Sequence, residues 1–169
     1  MPSSVQILGT GQLLELSRRL RAAGGPRLRQ NTARRIRRAA EPLQTDLQDR
    51  IRTVELAGSG RKVRGGPSPT SRPLRAALAG AVRISVRSGA SPGARVWLDH
   101  SRLPDDITAG VAARIDEGRL RHPVFGNGKR WTNQWARPSG WWTKTVQDGM
   151  PRMRDEVARI RDDVRRDLQ

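Results

Sequence analysis

Cysteine and tyrosine are absent from these 169 residues, histidine occurs twice, and only 16 acidic side chains stand against 33 basic ones. Each scarcity excludes something. Without cysteine there is no disulfide framework, no thiol nucleophile and no zinc cluster of the usual kind, and a reducing compartment suits the chain. His100 and His122 lie far apart in sequence and the carboxylates are scattered, so no metal-ligand spacing emerges. The adjacent pairs Asp105–Asp106 and Asp162–Asp163 diverge on a helix and read as surface charge. There is no Gly-x-Ser-x-Gly elbow and no recognisable Ser/His/Asp trio. A two-metal nuclease needs convergent carboxylates, which the basic middle of the chain lacks. The expectation is a protein that is not an enzyme and takes no cofactor.

Long hydrophobic runs are missing too. The longest weakly polar stretch, "AALAGAV" (76–82), falls far short of the about 20 residues that cross a bilayer. Met1 to Gly11 has neither the basic start nor the apolar run of a secretory signal. A soluble, intracellular protein with no membrane partner is expected.

What is present is positive charge, net +17, unevenly spread. Residues 56–98 carry eight Lys and Arg and no acid, whereas both ends mix the two signs. Such a balance favours contact with polyanions and does not by itself dictate a fold. Hydrophobic residues make up 35% of the chain, enough for one domain over 1–169 only if they are well placed. Within the acid-free quarter, "AGSGRKVRGGPSPTSRP" (57–73) is loop by composition. Its Gly-Ser-Gly-Arg-Lys lacks the second glycine and the Lys-Ser/Thr ending of a phosphate-binding loop. We read it as a flexible basic loop or arm in which Arg61, Lys62, Arg64 and Arg72 contact an acidic partner or DNA, against the alternative of a plain surface loop.

Helical periods flank this loop. Leu13, Leu16 and Leu20 predict a first helix, stopped by "AAGGP" (22–26). Ile36, Ala40, Leu43, Leu47, Ile51 and Val54 make the apolar stripe of a second, which Pro42 should kink or restart. "LRAALAGAV" reads as a short helix from Pro73, followed by strands over 82–88 and 94–98. These strands form an antiparallel hairpin, with Arg83, Arg87 and Arg95 on one face and Val82, Ile84, Val86, Val96 and Leu98 on the other. "VQIL" (5–8) alternates as a further short strand, and 105–117 reads as a helix bearing Ile107, Val111 and Ile115. Val146, Met150, Met153, Val157, Ile160, Val164 and Leu168 line a final amphipathic helix, whose start Pro151 places near "DGMP". That stripe suits intramolecular packing and a subunit contact equally. The fold class expected is α+β: two N-terminal helices, a small antiparallel sheet and a long C-terminal helix.

"RHPVFGNGKRWTNQWARPSGWW" (121–142) holds the only phenylalanine and four of the five tryptophans. Such rings can stack single-stranded bases beside a basic groove. Here they sit among Pro and Gly rather than alternating with basic residues on a strand. Trp141 and Trp142 lead into the final helix, and large aromatics at such a junction seal small cores. Packing is the expectation favoured.

The order His122-Pro123-Val124-Phe125-Gly126, then Trp131, Gln134, Pro138, Gly140 and Trp141-Trp142 before an amphipathic helix, resembles a known family. It is the gene-product-ten-like tail-component family of long-tailed double-stranded DNA phages, in the form found in actinobacterial phages and prophages. Its members are also called tail-completion or neck proteins. "PLRAALAGAVRISV" is similar to the family's leucine-bearing helix entering a strand, so the resemblance covers most of the chain. Where the family often has Thr-Gly before that helix, this chain has Ser71-Arg72-Pro73. The resemblance implies a non-enzymatic structural subunit of the virion neck, assembled in the bacterial host cytoplasm. It implies a homo-oligomeric ring, six-fold rather than twelve-fold, between adaptor or stopper subunits and the tail terminator, with genomic DNA passing through or near it. The competing class is a free-standing basic DNA-binding protein, which would bind in a steeply salt-dependent way and present a base-reading helix. No helix-turn-helix pair stands out. A membrane-active basic peptide is disfavoured by the six acidic groups from Asp148 onward.

Overall fold

Helix α1 (Pro26–Thr53) starts on a proline, at the first helical position, where no intrahelical acceptor awaits the missing N–H. Pro26, the last residue of the stretch read as stopping a preceding helix, thus opens this one. In the computed structural model the described residues are 4–8, 26–58, 74–87, 93–105, 107–108, 110–124 and 127–167, so the helix expected around Leu13–Leu20 lies outside them. Ile36, Ala40, Leu43, Leu47, Ile51 and Val54 are all buried, while Arg34, Arg37 and Arg38 are exposed. The helix continues through Pro42 rather than restarting there. Proline removes one backbone donor, whereas the apolar stripe on both sides faces one core.

Five of the six strands follow α1, and the six form two antiparallel sheets where the sequence suggested one. In the first, β1 (Ser4–Leu8), β4 (Gly93–Leu98) and β3 (Val82–Arg87) are ordered β1-β4-β3. Cross-strand pairs alternate between its faces. Val82–Leu98, Ile84–Val96 and Val86–Ala94 face the core; Arg83–Trp97, Ser85–Arg95 and Arg87–Gly93 face out. The amide of Gln44 donates to the Val82 carbonyl at 2.7 Å, tying α1 to β3. In the second sheet, β2 (Glu55–Gly58), β6 (Asn127–Arg137) and β5 (Arg119–Val124) are ordered β2-β6-β5. Ala57 and Gly58 thus belong to a strand, not to the basic loop assigned to 57–73; residues 59–73 lie outside the described ones.

Two short helices join these parts. Helix α2 (Leu74–Ala81) buries Leu78, Ala79 and Ala81. Its Arg75 guanidinium donates to the carbonyls of Val54 (2.9 Å) and Arg52 (3.3 Å), placing a cation at the negative end of α1. Helix α3 (Gly110–Asp116) is shorter than the 105–117 expected. Pro104 accepts from the Ile107 amide in a separate turn, so Ile107 packs on the core from outside the helix.

The last helix, α4 (Thr143–Asp167), begins two turns before the proline expected to start it and carries Pro151 inside. Met153 and Ile160 are buried, and Val146, Met150 and Val157 pack against the same core. This stripe lies on α1: a side chain at Gly149 would come within 3.0 Å of Leu43 Cδ1, and Arg35 reaches Asp163 at 3.5 Å. Packing within the subunit therefore occupies the stripe as far as Ile160; the side chain of Val164 and all of Leu168 lie outside what is described. Among the described residues no helix is long and apolar enough to cross a membrane.

Candidate functional site

The hairpin of β5 and β6 sorts its residues by alternation. Arg119 pairs with Trp135, Arg121 with Asn133 and Pro123 with Trp131 on one face; Leu120 with Gln134 and His122 with Thr132 on the other. The second face is covered: Leu120 and Ala136 are buried, and Leu56 of β2 packs beside them. The first is open. Trp131 and Trp135 keep 50% and 42% of their surface exposed, the two large hydrophobic side chains most exposed among the described residues.

These two rings are nonetheless held. The Arg121 guanidinium lies 5.2 Å from the centre of the Trp131 ring, and that of Arg119 lies 5.7 Å from the centre of Trp135. A cation over an indole face is attracted by the ring quadrupole, about 0.5–1 kcal/mol at an exposed site. The Trp131 indole N–H donates to the Gly128 carbonyl at 2.9 Å, which fixes the ring's orientation. Arg137, exposed on the same face, pairs across the strands with Glu55 of β2. Glu55 is the one carboxylate that alternation places on this face among the described residues.

The packing assigned to the whole tryptophan segment thus holds for only part of it. Trp131 is not a core residue, because odd-numbered positions of β6 point away from the helices while Ala136 points toward them. Nor do these rings sit only among Pro and Gly: two of them share one face of a strand, with Arg119 opposite Trp135 and Arg121 diagonal to Trp131. His122 and Gln134 are half-buried on the covered face, Pro138 is exposed after a cis peptide bond, and Gly140 is buried with φ +80°. Phe125 and Gly126 lie outside the described residues, as do Arg61, Lys62, Arg64 and Arg72 of the basic loop. Pro123 has a described backbone on the edge strand β5, where a proline costs no ladder bond to an outer neighbour.

Trp141 and Trp142 are the buried half, at 1% and 8% exposure. They meet edge to face, ring centres 5.5 Å apart, and the Trp141 indole N–H donates to the Ala112 carbonyl of α3 at 3.1 Å. Burying such a ring removes about 150–250 Å² from water, about 4–6 kcal/mol before entropy is counted. Asp116, which the sequence did not single out, completes the joint. Its carboxylate accepts from the backbone N–H of Trp142 (2.7 Å) and Thr143 (3.1 Å) and from the Thr143 hydroxyl. Its own carbonyl accepts from the Gly140 amide at 2.7 Å. One aspartate at the end of α3 therefore caps the start of α4, 26 residues away.

A second outward face lies on the first sheet. Arg83 and Arg87 are exposed there, and the Arg95 guanidinium sits 5.5 Å from the centre of the half-buried Trp97 ring. Among the described residues no group of three or more His, Cys, Asp or Glu is placed to hold a metal ion. A cavity of about 10 Å³ between α1, β4 and α4, lined by Ile36, Ala40, Ala94 and Met153 among others, has room for one water at most. What this surface offers chemically is cations and indole rings held on open sheets. The chain matches no family model, no curated protein and no solved structure.

Proposed function

We propose that this protein is a structural subunit of the neck of a long-tailed double-stranded DNA phage, joining the head connector to the tail as a homo-oligomeric ring. It works without a cofactor, between adaptor or stopper subunits and the tail terminator. The observation that carries this reading is the joint at Trp141–Trp142. The segment that resembles the neck family ends on that pair, and the pair with Asp116 fixes a 25-residue helix to α3 and the second sheet. A ring subunit transmits its neighbours' positions only if helix and sheet keep one angle, and a dry aromatic joint with a tertiary cap supplies that rigidity. The mixed charges exposed on α4, Arg152, Arg154, Asp155 and Arg159 among them, suit contacts with a next subunit.

Native mass spectrometry and negative-stain microscopy of the purified chain test the reading, together with an assay that joins separated heads and tails. Rings, six-fold rather than twelve-fold, and restored joining are the expected results. A monomer at every concentration, with no effect on joining, overturns it.

A further inference from the structure

The outer face of the β2-β6-β5 sheet is not used by the joint that supports the neck reading, and its composition is specific. We infer that this face is a binding platform for single-stranded nucleic acid, with Trp131 and Trp135 stacking on unpaired bases and Arg119, Arg121 and Arg137 on the backbone phosphates. The argument begins with what the face is made of. Two indoles outside the hydrophobic core expose surface that water disfavours, yet each has a guanidinium beside its ring, and Trp131 also an N–H bond to Gly128. With one π-face against arginine, about half of each residue's surface still meets solvent. A base arriving there meets exposed ring surface already flanked by a cation.

Charge selects the ligand class. Three arginines and one carboxylate occupy the described part of the face, on a chain of net charge +17. The occupant is a polyanion, and the exposed rings select a polyanion that carries flat, unpaired rings of its own. A duplex hides its base faces within the stack and offers this sheet phosphates only. The geometry also has the right reach. Trp131 and Trp135 are four residues apart on one strand, about 13 Å, so a single extended strand running along β6 meets both. Lys129, exposed at the next odd-numbered position toward the hairpin end, continues the basic track past Trp131. The first sheet lacks this combination: its Trp97 is half-buried, and β1 pairs alongside it.

The test uses the full chain and a fluorescently labelled strand of about 20 thymidines, longer than typical single-strand sites of roughly 4–16 nucleotides. Binding is read by polarisation at about 0.15 M salt, where exposed charges more than about 8 Å apart are largely screened. Three competitors are a duplex of the same length, a Glu-rich peptide of similar charge, and the thymidine strand unlabelled. We expect the single strand to bind at least tenfold tighter than the duplex, on the order of the stacking the duplex cannot offer. Trp131→Ala and Trp135→Ala each weaken binding by about fivefold or more, with unchanged melting temperatures, and Trp131→Phe and Trp135→Phe restore most of the loss. Arg119→Gln with Arg121→Gln lowers the slope of log affinity against log salt by about 1.4. The inference is overturned by the absence of single-strand binding or by equal affinity for the duplex. It is also overturned by an equal loss from Arg83→Gln with Arg87→Gln on the other sheet, or by tighter binding of the acidic peptide, which would make the face a protein-docking surface. None of these outcomes depends on ring formation, so this inference and the neck reading stand or fall separately.

Discussion

Trp141 and Trp131 are the same residue type ten positions apart, and their substitution separates the two uses of the segment. Trp141→Ala leaves a large void beside Ala112 and removes the indole donor to its carbonyl; it should cost about 3–5 kcal/mol in a urea titration. Trp131→Ala removes a half-exposed ring and should cost under about 1 kcal/mol. Similar losses at both positions would mean that the exposed ring carries core packing after all. Asp116→Ala takes away the acceptor shared by Trp142, Thr143 and the threonine hydroxyl. The expected cost is about 1–2 kcal/mol, with faster amide exchange confined to the first turn of α4. This residue was hidden in the sequence because its partners are 26 and 27 positions away, and no local capping pattern announces a cap supplied by another helix. The exposed tryptophans did leave a signal. Trp131 and Trp135 are four positions apart, an even spacing that puts both on one face of a strand. Pro123 and the nearby glycines masked it, since they read as loop unless the strand is known to be an edge.

Helix stripes were the most legible elements. In α1 every apolar position at steps of three and four is buried, because a helix that packs on one side has no other way to place them. The strands of the first sheet were legible for the equivalent reason at period two. The prolines were misleading. Pro151 marks a helix start in a chain judged locally, but here the turns before it are already nucleated by the Asp116 cap and the tryptophan joint. One lost backbone bond does not stop a helix whose far half lies on α1. The contact between the helices makes its own prediction. Gly149 faces Leu43 with no room for a methyl group that does not displace it, so Gly149→Val should destabilise by about 1–3 kcal/mol. Leu43→Ala in the same chain should recover part of that loss, measurable as a double-mutant cycle. At the end of α3, Gly118 has φ +88° and a Cβ there would come within 2.9 Å of Ser139 Cβ. Its amide closes the helix onto Ile115 and its carbonyl takes the Ala136 amide. Gly118→Ala should therefore cost about 1–3 kcal/mol and loosen β6 against α3 together, seen as amide exchange at Ala136.

For the molecule as a whole, the excess of positive charge is arranged rather than merely large. The buried stripes of α1 and α4 meet each other, and arginines are left on both outward sheet faces and along the helices. The remaining basic groups of the acid-free quarter, Arg61, Lys62, Arg64 and Arg72, lie outside the described residues, and the whole-chain prediction concerns them. On the neck function proposed above, replacing 59–72 by a short Gly-Ser bridge should leave the melting temperature within a few degrees and abolish the joining of heads to tails. Undiminished joining would make that segment a plain connection. The α+β class was legible from the two periods of hydrophobicity, whereas the existence of a second sheet was not, because β2 is four residues long and pairs with a strand some 80 positions later. The absence of tyrosine now acquires a practical meaning. Nearly all ultraviolet emission from this protein comes from its five indoles, two sealed at the joint, two open to water on the second sheet and Trp97 half-buried on the first. The sealed pair emits at shorter wavelength and reports on the integrity of α4; the open pair emits at longer wavelength and is reached by soluble quenchers. A single spectrum therefore distinguishes a ligand settling on the sheet from a subunit coming apart.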